Sequence, residues 1–482
     1  MLVNSFNFLI FFTVVFLGYH LLFKEKTKAQ NILLLLASYF FYGFAEIKMI
    51  PLLIAVTIIY YGLGIAIQKA NETSERKASW LKTVGVLIGV GVLVYFKYFN
   101  FFITSFQNFF EAIGLKFSLT TFNILMPLGI SFFTFKLISY VLEVHRERMD
   151  ATRDFVSFAT FVAFFPTIMS GPIDRPNTFI PQLQKKKKFD YVLAVDGCRQ
   201  ILWGIFKKVV IADNLALAVN PVWENITGSS GSTLFYTAIL YSFQLYADFS
   251  GYSDMAIGVG KLLGFRIAIN FRYPFFALNI ADFWRRWHIS LTSWMTDYVF
   301  MPLNIKFRDL GKWGLILAIL INMFIIGLWH GANWVFVIFG LYHGLLFIPL
   351  ILSGGFSKKI ELETTKFGLP AFKTFLYIWG TFLLVAMGMI IFRAENIDMA
   401  YQYFRHMLDF SLFTFPVMQG KTALLFVLIM LCSEWIGRNR EYSLQLITKI
   451  KKRSLRWAIY FILIFLIMTY NEVQSTFIYF QF

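Results

Sequence analysis

The sequence predicts an all-α polytopic membrane protein, with about eleven to twelve transmembrane helices and a few re-entrant or interfacial helices around a central cavity. Three observations carry that reading. AVILMFWYC residues make up 58% and charged residues only 15% of the 482. With glycine counted in place of tyrosine the apolar share is roughly 60%, against about 45 to 50% in soluble domains, which is too much for a soluble core. Apolar runs of about the 20 residues needed for one crossing recur from end to end, so no soluble domain of ordinary size fits, and 1–482 reads as one membrane domain. Last, the basic residues alternate in density between successive connections. Of 44 Lys and Arg, 35 fall at 24–28, 69–82, 146–199, 261–312, 358–373 and 438–456, whereas none lies between Asn214 and Gly231. In a soluble protein the net charge of +17 would suggest nucleic acid. Here it follows the positive-inside rule, so it marks topology and no nucleic-acid partner is expected.

Eleven runs read as spans, at about 4–23, 31–44, 49–67, 83–105, 122–142, 232–248, 313–331, 334–353, 374–392, 422–437 and 457–471. The beginning, Met1 to Phe12, lacks a cationic leader and a following cleavage site, so it reads as a retained helix. Gly197 to Val219 carries Lys207 and Lys208 mid-segment, and is either an interfacial helix or a crossing whose lysines face a wet cavity. As a twelfth crossing it makes the charge alternation consistent throughout, with both termini outside. Phe155 to Asp174, with Pro166, Gly171 and Pro172, and Pro274 to Pro302 are too broken for plain spans and read as re-entrant. Irregular backbone at that depth must be buried in protein or line water, which predicts a cavity on the cytoplasmic side. No similar halves of the transporter kind are present.

The two cysteines, Cys198 and Cys432, form no spaced motif, and phosphate loops, nucleophile elbows and zinc-binding histidine pairs are missing, so no metal is expected. Among six histidines, His330 is the informative one. It stands in Gly327-Leu328-Trp329-His330-Gly331-Ala332-Asn333-Trp334, between two apolar runs with no polar loop, where an ionisable group defaults to function. Asn333 orients it from i+3 if the helix persists, but Gly331 makes a break equally plausible. His343, between Gly340 and Gly344, reads as a packing residue bonded to a neighbouring helix. His288 lies in Asp282-Phe283-Trp284-Arg285-Arg286-Trp287-His288, which suits either an interfacial helix or a mouth receiving a polyanionic donor. Asp248 and Asp254 could hold such a site together. Lys185 to Lys188 reads as a cytoplasmic retention charge.

At these residues the chain resembles the membrane-bound O-acyltransferases, in particular the bacterial alginate and peptidoglycan O-acetyltransferases and the teichoic-acid D-alanyl transfer protein. The resemblance runs through Phe165-Pro166-Thr167-Ile168-Met169-Ser170-Gly171-Pro172-Ile173-Asp174-Arg175, Phe206 to Asn214, Asp248 to Asp254, Asn270-Phe271-Arg272-Tyr273-Pro274, the His288 segment and Leu328-Trp329-His330-Gly331, within a motif-bearing core of about 120–345. It implies a catalytic role for His330, within the membrane between an outer funnel and an inner cavity, and His288 as the second important histidine. Arg285, Arg286, Trp329, Asn333, Asp248 and Asp254 are then the candidate substrate-binding residues. It further implies a multi-pass protein of the bacterial cytoplasmic membrane, in contact with lipid, that binds no cofactor and takes acetyl-coenzyme A or another acyl thioester, including one on a carrier protein, as donor substrate. A separate extracytoplasmic acetyltransferase is the implied partner. The sequence departs from the family at Leu303-Asn304-Ile305-Lys306, where a glycine-rich turn is common, and before Asp297, where an arginine is common. D-alanyl transfer is the alternative within the family, and a transporter or flippase the alternative outside it.

The charge pattern makes the loops around Lys77, Lys185 and Lys452 cytoplasmic and the 214–231 loop external. In intact cells a membrane-impermeant thiol reagent is expected to label Ser229→Cys and not Lys185→Cys; the reverse labelling overturns the orientation.

Overall fold

The structure, a computed structural model, describes residues 3–115, 120–356, 358, 361–471, 475, 477 and 478. Regular structure among them is helical, and the one extended pairing is an isolated bridge between Thr364 and Pro370. Five helices are long and apolar enough to cross a bilayer: Thr27–Asn71, Glu75–Ala112, Arg308–His330, Trp334–Leu352 and Phe372–Arg393. The first contains two of the expected spans, because Glu46 leaves helical geometry (φ −154°, ψ 71°) ahead of a 3-10 turn at Ile47–Met49. Expected spans outside this set are helices too. Lys421–Ile436 and Arg453–Thr469 have 16 and 17 residues, and Gly231–Leu262 has 32 but carries Asp248, Asp254 and Lys261. One boundary differs from expectation: in the run 122–142 the helix starts only at Ile130. Pro127 and the left-handed Gly129 (φ 71°) break it, and a Cβ on Gly129 would overlap the carbonyl oxygen of Ile168. Apolar character announced a helix there, and backbone contact cut it short.

The chain divides into two compact units, Met1–Cys198 with Ala256–Ala268, and Arg199–Met255 with Ile269–Phe482. In the first, the expected broken segment is a helix, Phe155–Ala163, followed by turns up to the next helix at Pro176–Gln184. Its irregular backbone is buried and finds partners in neighbouring side chains, as an apolar surrounding demands. Ser38 Oγ accepts the Phe165 N–H at 3.1 Å. Lys136 Nζ donates to Phe161 O and to Thr167 Oγ1, both at 3.0 Å, and Asp174 accepts the Ala268 N–H at 2.9 Å. Asn31 ties the following helix down through Leu183 O at 2.8 Å.

The second unit is organised by a hairpin of two apolar helices, Gly311–His330 and Trp334–Leu352. They touch backbone to backbone: a Cβ on Gly327 would overlap the Phe336 carbonyl oxygen, and one on Gly340 the Met323 carbonyl oxygen. The close approach expected from Gly340 and Gly344 is thereby realised, as small residues allow between membrane helices. A second such contact joins Gly204 to Gly251, each of whose added Cβ would lie 2.6 or 2.7 Å from the other's carbonyl oxygen. This contact brings the segment around Lys207 and Lys208 against the helix bearing Asp248 and Asp254.

Because nothing flexible can yield at the hairpin, Gly340→Leu is expected to prevent accumulation of a monodisperse protein in detergent size-exclusion chromatography. Gly380→Leu, where nothing lies within 4 Å of an added Cβ, is the control expected to behave as wild type.

Candidate active site

His330 is the last residue of its helix. Gly331 is extended (φ −171°), so the helix stops there, and Asn333 begins the next one by accepting the Val335 N–H at 3.2 Å. The break anticipated at Gly331 is present, and Asn333 therefore does not sit one turn from His330 on a common helix. Its amide instead donates to Glu395 O at 2.7 Å.

Two cavities of the second unit meet this helix at different heights. The smaller, about 500 Å³, is walled by Ile319, Asn322, Met323 and Ile326 of the helix, and by Trp284, Arg285, Thr292, Ser293 and Asp297. The larger, about 840 Å³, is lined by Gly331, Asn333 and Phe336 together with Asn220, Trp223, Glu224 and Arg393. From Ile326 to Gly331 the helix advances about 7 Å. The buried His330 occupies that interval. Its ring lies edge-on to Trp329, Phe392 and Phe339, at 5.1, 5.1 and 5.8 Å between centroids.

His288 is fully buried and joined to His330 through one side chain. Trp329 is 5.5 Å from His288 and 5.1 Å from His330, edge-on to both. The broken segment around His288 consists of the short helices Ile280–Arg286 and Ile289–Met295, with His288 between them in the left-handed region (φ 44°, ψ 51°). For a residue with a Cβ that conformation is strained and persists only when neighbours over-determine it. Asn270 and Arg272 do so: Ile289 N–H donates to Asn270 O at 2.8 Å and Arg272 N–H to Arg286 O at 3.0 Å. The Asn270 side chain is itself fixed, donating to Ser253 Oγ at 3.0 Å and accepting from Ser290 Oγ at 2.5 Å.

The remaining candidates separate. Arg285 lines the smaller cavity, its Nε donating to Ala281 O at 3.1 Å, whereas Arg286 pairs with Asp282 at 2.9 Å. Trp329 is buried between the histidines and lines neither cavity. Asp248 and Asp254 line neither cavity as well, and serve as counter-ions. Lys207 meets Asp254 at 2.6 Å, and Lys208 meets Asp248 at 2.7 Å and Asp213 at 2.8 Å. Of the two readings left open for this segment, the one in which its lysines face a wet cavity is corrected: each is buried against carboxylates, the arrangement that makes a charge tolerable at membrane depth. His343 is buried and, among the described residues, neither ring nitrogen has a hydrogen-bond partner. It packs against Phe339 and Trp284, at 4.7 and 5.1 Å, with Gly388 leaving it room, so packing replaces the expected bond to another helix.

Sequence reasoning missed Arg393 and Asn322. Arg393 faces the larger cavity from between Tyr241 and Trp223, at 5.1 and 5.5 Å from their rings, and donates to Asn220 at 2.7 Å. Asn322 is a lone amide inside an apolar helix, and that isolation was its signal.

Helical architecture, a break at the buried His330, which itself lines neither cavity, and two cavities bordered by the segments on either side of it are the features of a polytopic membrane protein with a candidate site in its interior. The family model for the membrane-bound O-acyltransferases matches residues 34–392, and the chain belongs to that family. It is 37% identical over 415 residues to the probable alginate O-acetylase AlgI of Azotobacter vinelandii, covering 85% of this chain and 79% of the relative. To the peptidoglycan O-acetyltransferase of Helicobacter pylori it is 34% identical, covering 83% and 78%. To the teichoic acid D-alanyltransferase of Bacillus subtilis it is 33% identical, covering 57% and 70%. The protein is a multi-pass membrane O-acyltransferase, and its relatives put it with the O-acetyltransferases.

The lysine pairs make a direct prediction about stability. Lys207→Met strands Asp254 and is expected to cost about 3 to 5 kcal/mol, as removal of one partner from a buried pair does, while Lys207→Met with Asp254→Leu regains most of it. Thermal unfolding of the purified variants in detergent reads this out, and equal Tm values for single and double variants would contradict it.

Proposed function

We propose that the protein takes an acetyl group from a cytoplasmic thioester, carried by coenzyme A or a carrier protein, and passes it to a hydroxyl on the far side of the membrane, for O-acetylation of an extracytoplasmic polysaccharide or peptidoglycan. The observation that carries this is the place of His330, at the end of a helix that walls one cavity and adjoins the other. Charge supports the assignment of sides. The helix starts beside Arg308 and Lys312, at the basic end, and the smaller cavity lies along its length. The larger cavity draws Asn220, Trp223 and Glu224 from the stretch without Lys or Arg.

The chemistry asks for one base. A hydroxyl in the larger cavity gives its proton to His330 as its oxygen attacks the thioester carbonyl. The tetrahedral intermediate expels the thiolate, and the imidazolium returns the proton to sulfur on the donor side, so charge and protons balance. Only the acetyl group changes sides, and the donor need not cross. A base on a helix whose residues border one cavity and whose end adjoins the other accomplishes this without the alternating motion of a transporter. Acetyl is favoured over D-alanyl because the likeness to the acetylating relatives spans 85% of the chain, against 57% for the D-alanyltransferase. The larger cavity, ringed by Trp223, Asn220, Glu224 and Arg393, is wide enough for a sugar hydroxyl or for the side chain of a separate extracytoplasmic acetyltransferase, which we infer takes the acetyl group onward. We place the protein in the bacterial cytoplasmic membrane, where a donor made inside and a polymer outside would meet it.

Loss of a general base typically costs about 10² to 10⁴ in rate. His330→Gln keeps a hydrogen-bonding amide but cannot accept the proton, so acetyl transfer by membranes holding wild-type amounts of the variant is expected to fall by at least that factor. Full transfer by His330→Gln would make the residue structural.

A further inference from the structure

The extended bridge between Thr364 and Pro370 lies in the connection from the helix Trp334–Leu352 to the helix Phe372–Arg393, and it carries an exposed aromatic tip. Thr365 N–H donates to Leu369 O at 2.7 Å and Ala371 N–H to Glu363 O at 3.0 Å. The turn closes at Gly368, which is left-handed (φ 76°) and donates its N–H to Thr365 O at 2.9 Å. A hairpin this small is marginal by itself. It is braced by Trp435 of the helix Lys421–Ile436, whose Nε1 donates to Gly368 O at 2.8 Å. Trp435 is itself held, edge-on to Phe276 at 5.2 Å and with the Arg438 guanidinium 4.6 Å from its ring. The bracing fixes what the hairpin presents. Phe367 is 92% exposed, Phe372 77% and Leu369 60%, with the exposed Lys366 and Lys373 beside them in the chain.

We propose that the hairpin at 363–371 is a binding element for anionic phospholipid headgroups, with Phe367 and Leu369 entering the acyl boundary and Lys366 and Lys373 meeting the phosphates. Two observations select lipid as the occupant. Phe372 begins a 22-residue apolar helix, about 33 Å long, which a hydrocarbon core of about 30 Å takes up almost entirely. The hairpin leads straight into that helix, so it stands in the headgroup layer and its apolar tip continues the lipid-facing surface of the span. The second observation is charge. From 353 to 373 the chain holds four lysines against two glutamates, and the connection after the bracing helix, 437–456, holds seven basic residues against Glu441 alone. Apolar side chains at the interface with cations around them are what a segment needs to hold an anionic leaflet. The helices joined by this connection carry Phe339 and Phe392, both packed edge-on against His330, so the lipid contact also anchors the ends of two elements that surround the site. The proposal is independent of the donor and of the acceptor.

The test uses the full-length protein, with the exposed Cys198 and Cys432 replaced by serine, in nanodiscs of equal parts phosphatidylcholine and phosphatidylglycerol. A bimane fluorophore is attached at Phe367→Cys, and its quenching by a trace of doxyl-labelled phosphatidylglycerol is compared with quenching by the same amount of doxyl-labelled phosphatidylcholine. The anionic lipid is expected to quench at least about fivefold more effectively, which is what one lysine near an anionic surface contributes. In Lys366→Gln with Lys373→Gln the ratio is expected to fall close to one, while quenching by the neutral lipid persists. Leu369→Cys carries the same readout on the other side of the turn, so a fluorophore that disturbs position 367 does not decide the result. Equal quenching by the two lipids in the unaltered lysine background overturns the inference, because the tip then meets lipid without selecting its charge. Quenching by aqueous iodide and by neither lipid also overturns it, and makes the hairpin a surface for a soluble protein.

Discussion

Backbone contact at Gly327 and Gly340 sets the geometry on which the second unit depends. The two helices are held backbone to backbone, and the chain turns between them within Gly331 to Asn333. His330 ends the first helix. Its ring is packed edge-on among Trp329, Phe339 and Phe392. His288, on the other side of Trp329, sits in a strained backbone conformation held by its neighbours' hydrogen bonds, Ile289 N–H donating to Asn270 O and Arg286 O accepting from Arg272 N–H. Two histidines on either side of one tryptophan are positioned by independent means.

Burial of charge follows a single rule across the molecule. Lys136, Lys207, Lys208 and Lys261 are all buried, and each has an oxygen within hydrogen-bonding distance: Lys136 a carbonyl and a hydroxyl, the other three a carboxylate. Tyr246 and Glu434 close a further bond at 2.8 Å. Such pairs add little net stability over apolar residues of the same volume, but removing one member is severe. They explain why a chain of such apolar composition keeps these ionisable residues in its interior.

Most of the architecture was legible because spans obey length and composition, and charges obey the positive-inside rule. His330 was legible for the same reason, as an ionisable group without a loop around it. What escaped depends on partners remote in sequence. The start of the helix at Ile130 is set by Ile168, the counter-ion roles of Asp248 and Asp254 by Lys208 and Lys207, and the placement of Arg393 by Asn220, 173 residues away. Local spacing holds no record of such pairings. Asn322 was different, since an isolated amide in an apolar run is visible at once, but only the structure puts it on the wall of the smaller cavity.

The pairing of Lys207 and Lys208 with Asp254 and Asp248 also bears on how the protein is made. A lysine near the middle of a helix costs about 2.5 to 3.5 kcal/mol on insertion, as does an aspartate. The segment with two adjacent lysines and the helix with two aspartates are each poor candidates to leave the translocon alone. Joined by only the short connection after Glu224, they can neutralise one another before either meets lipid. Biogenesis of this unit therefore requires the first segment to wait, at the translocon or at the interface, until the second has been synthesised, and the pair to enter the bilayer as one helical hairpin.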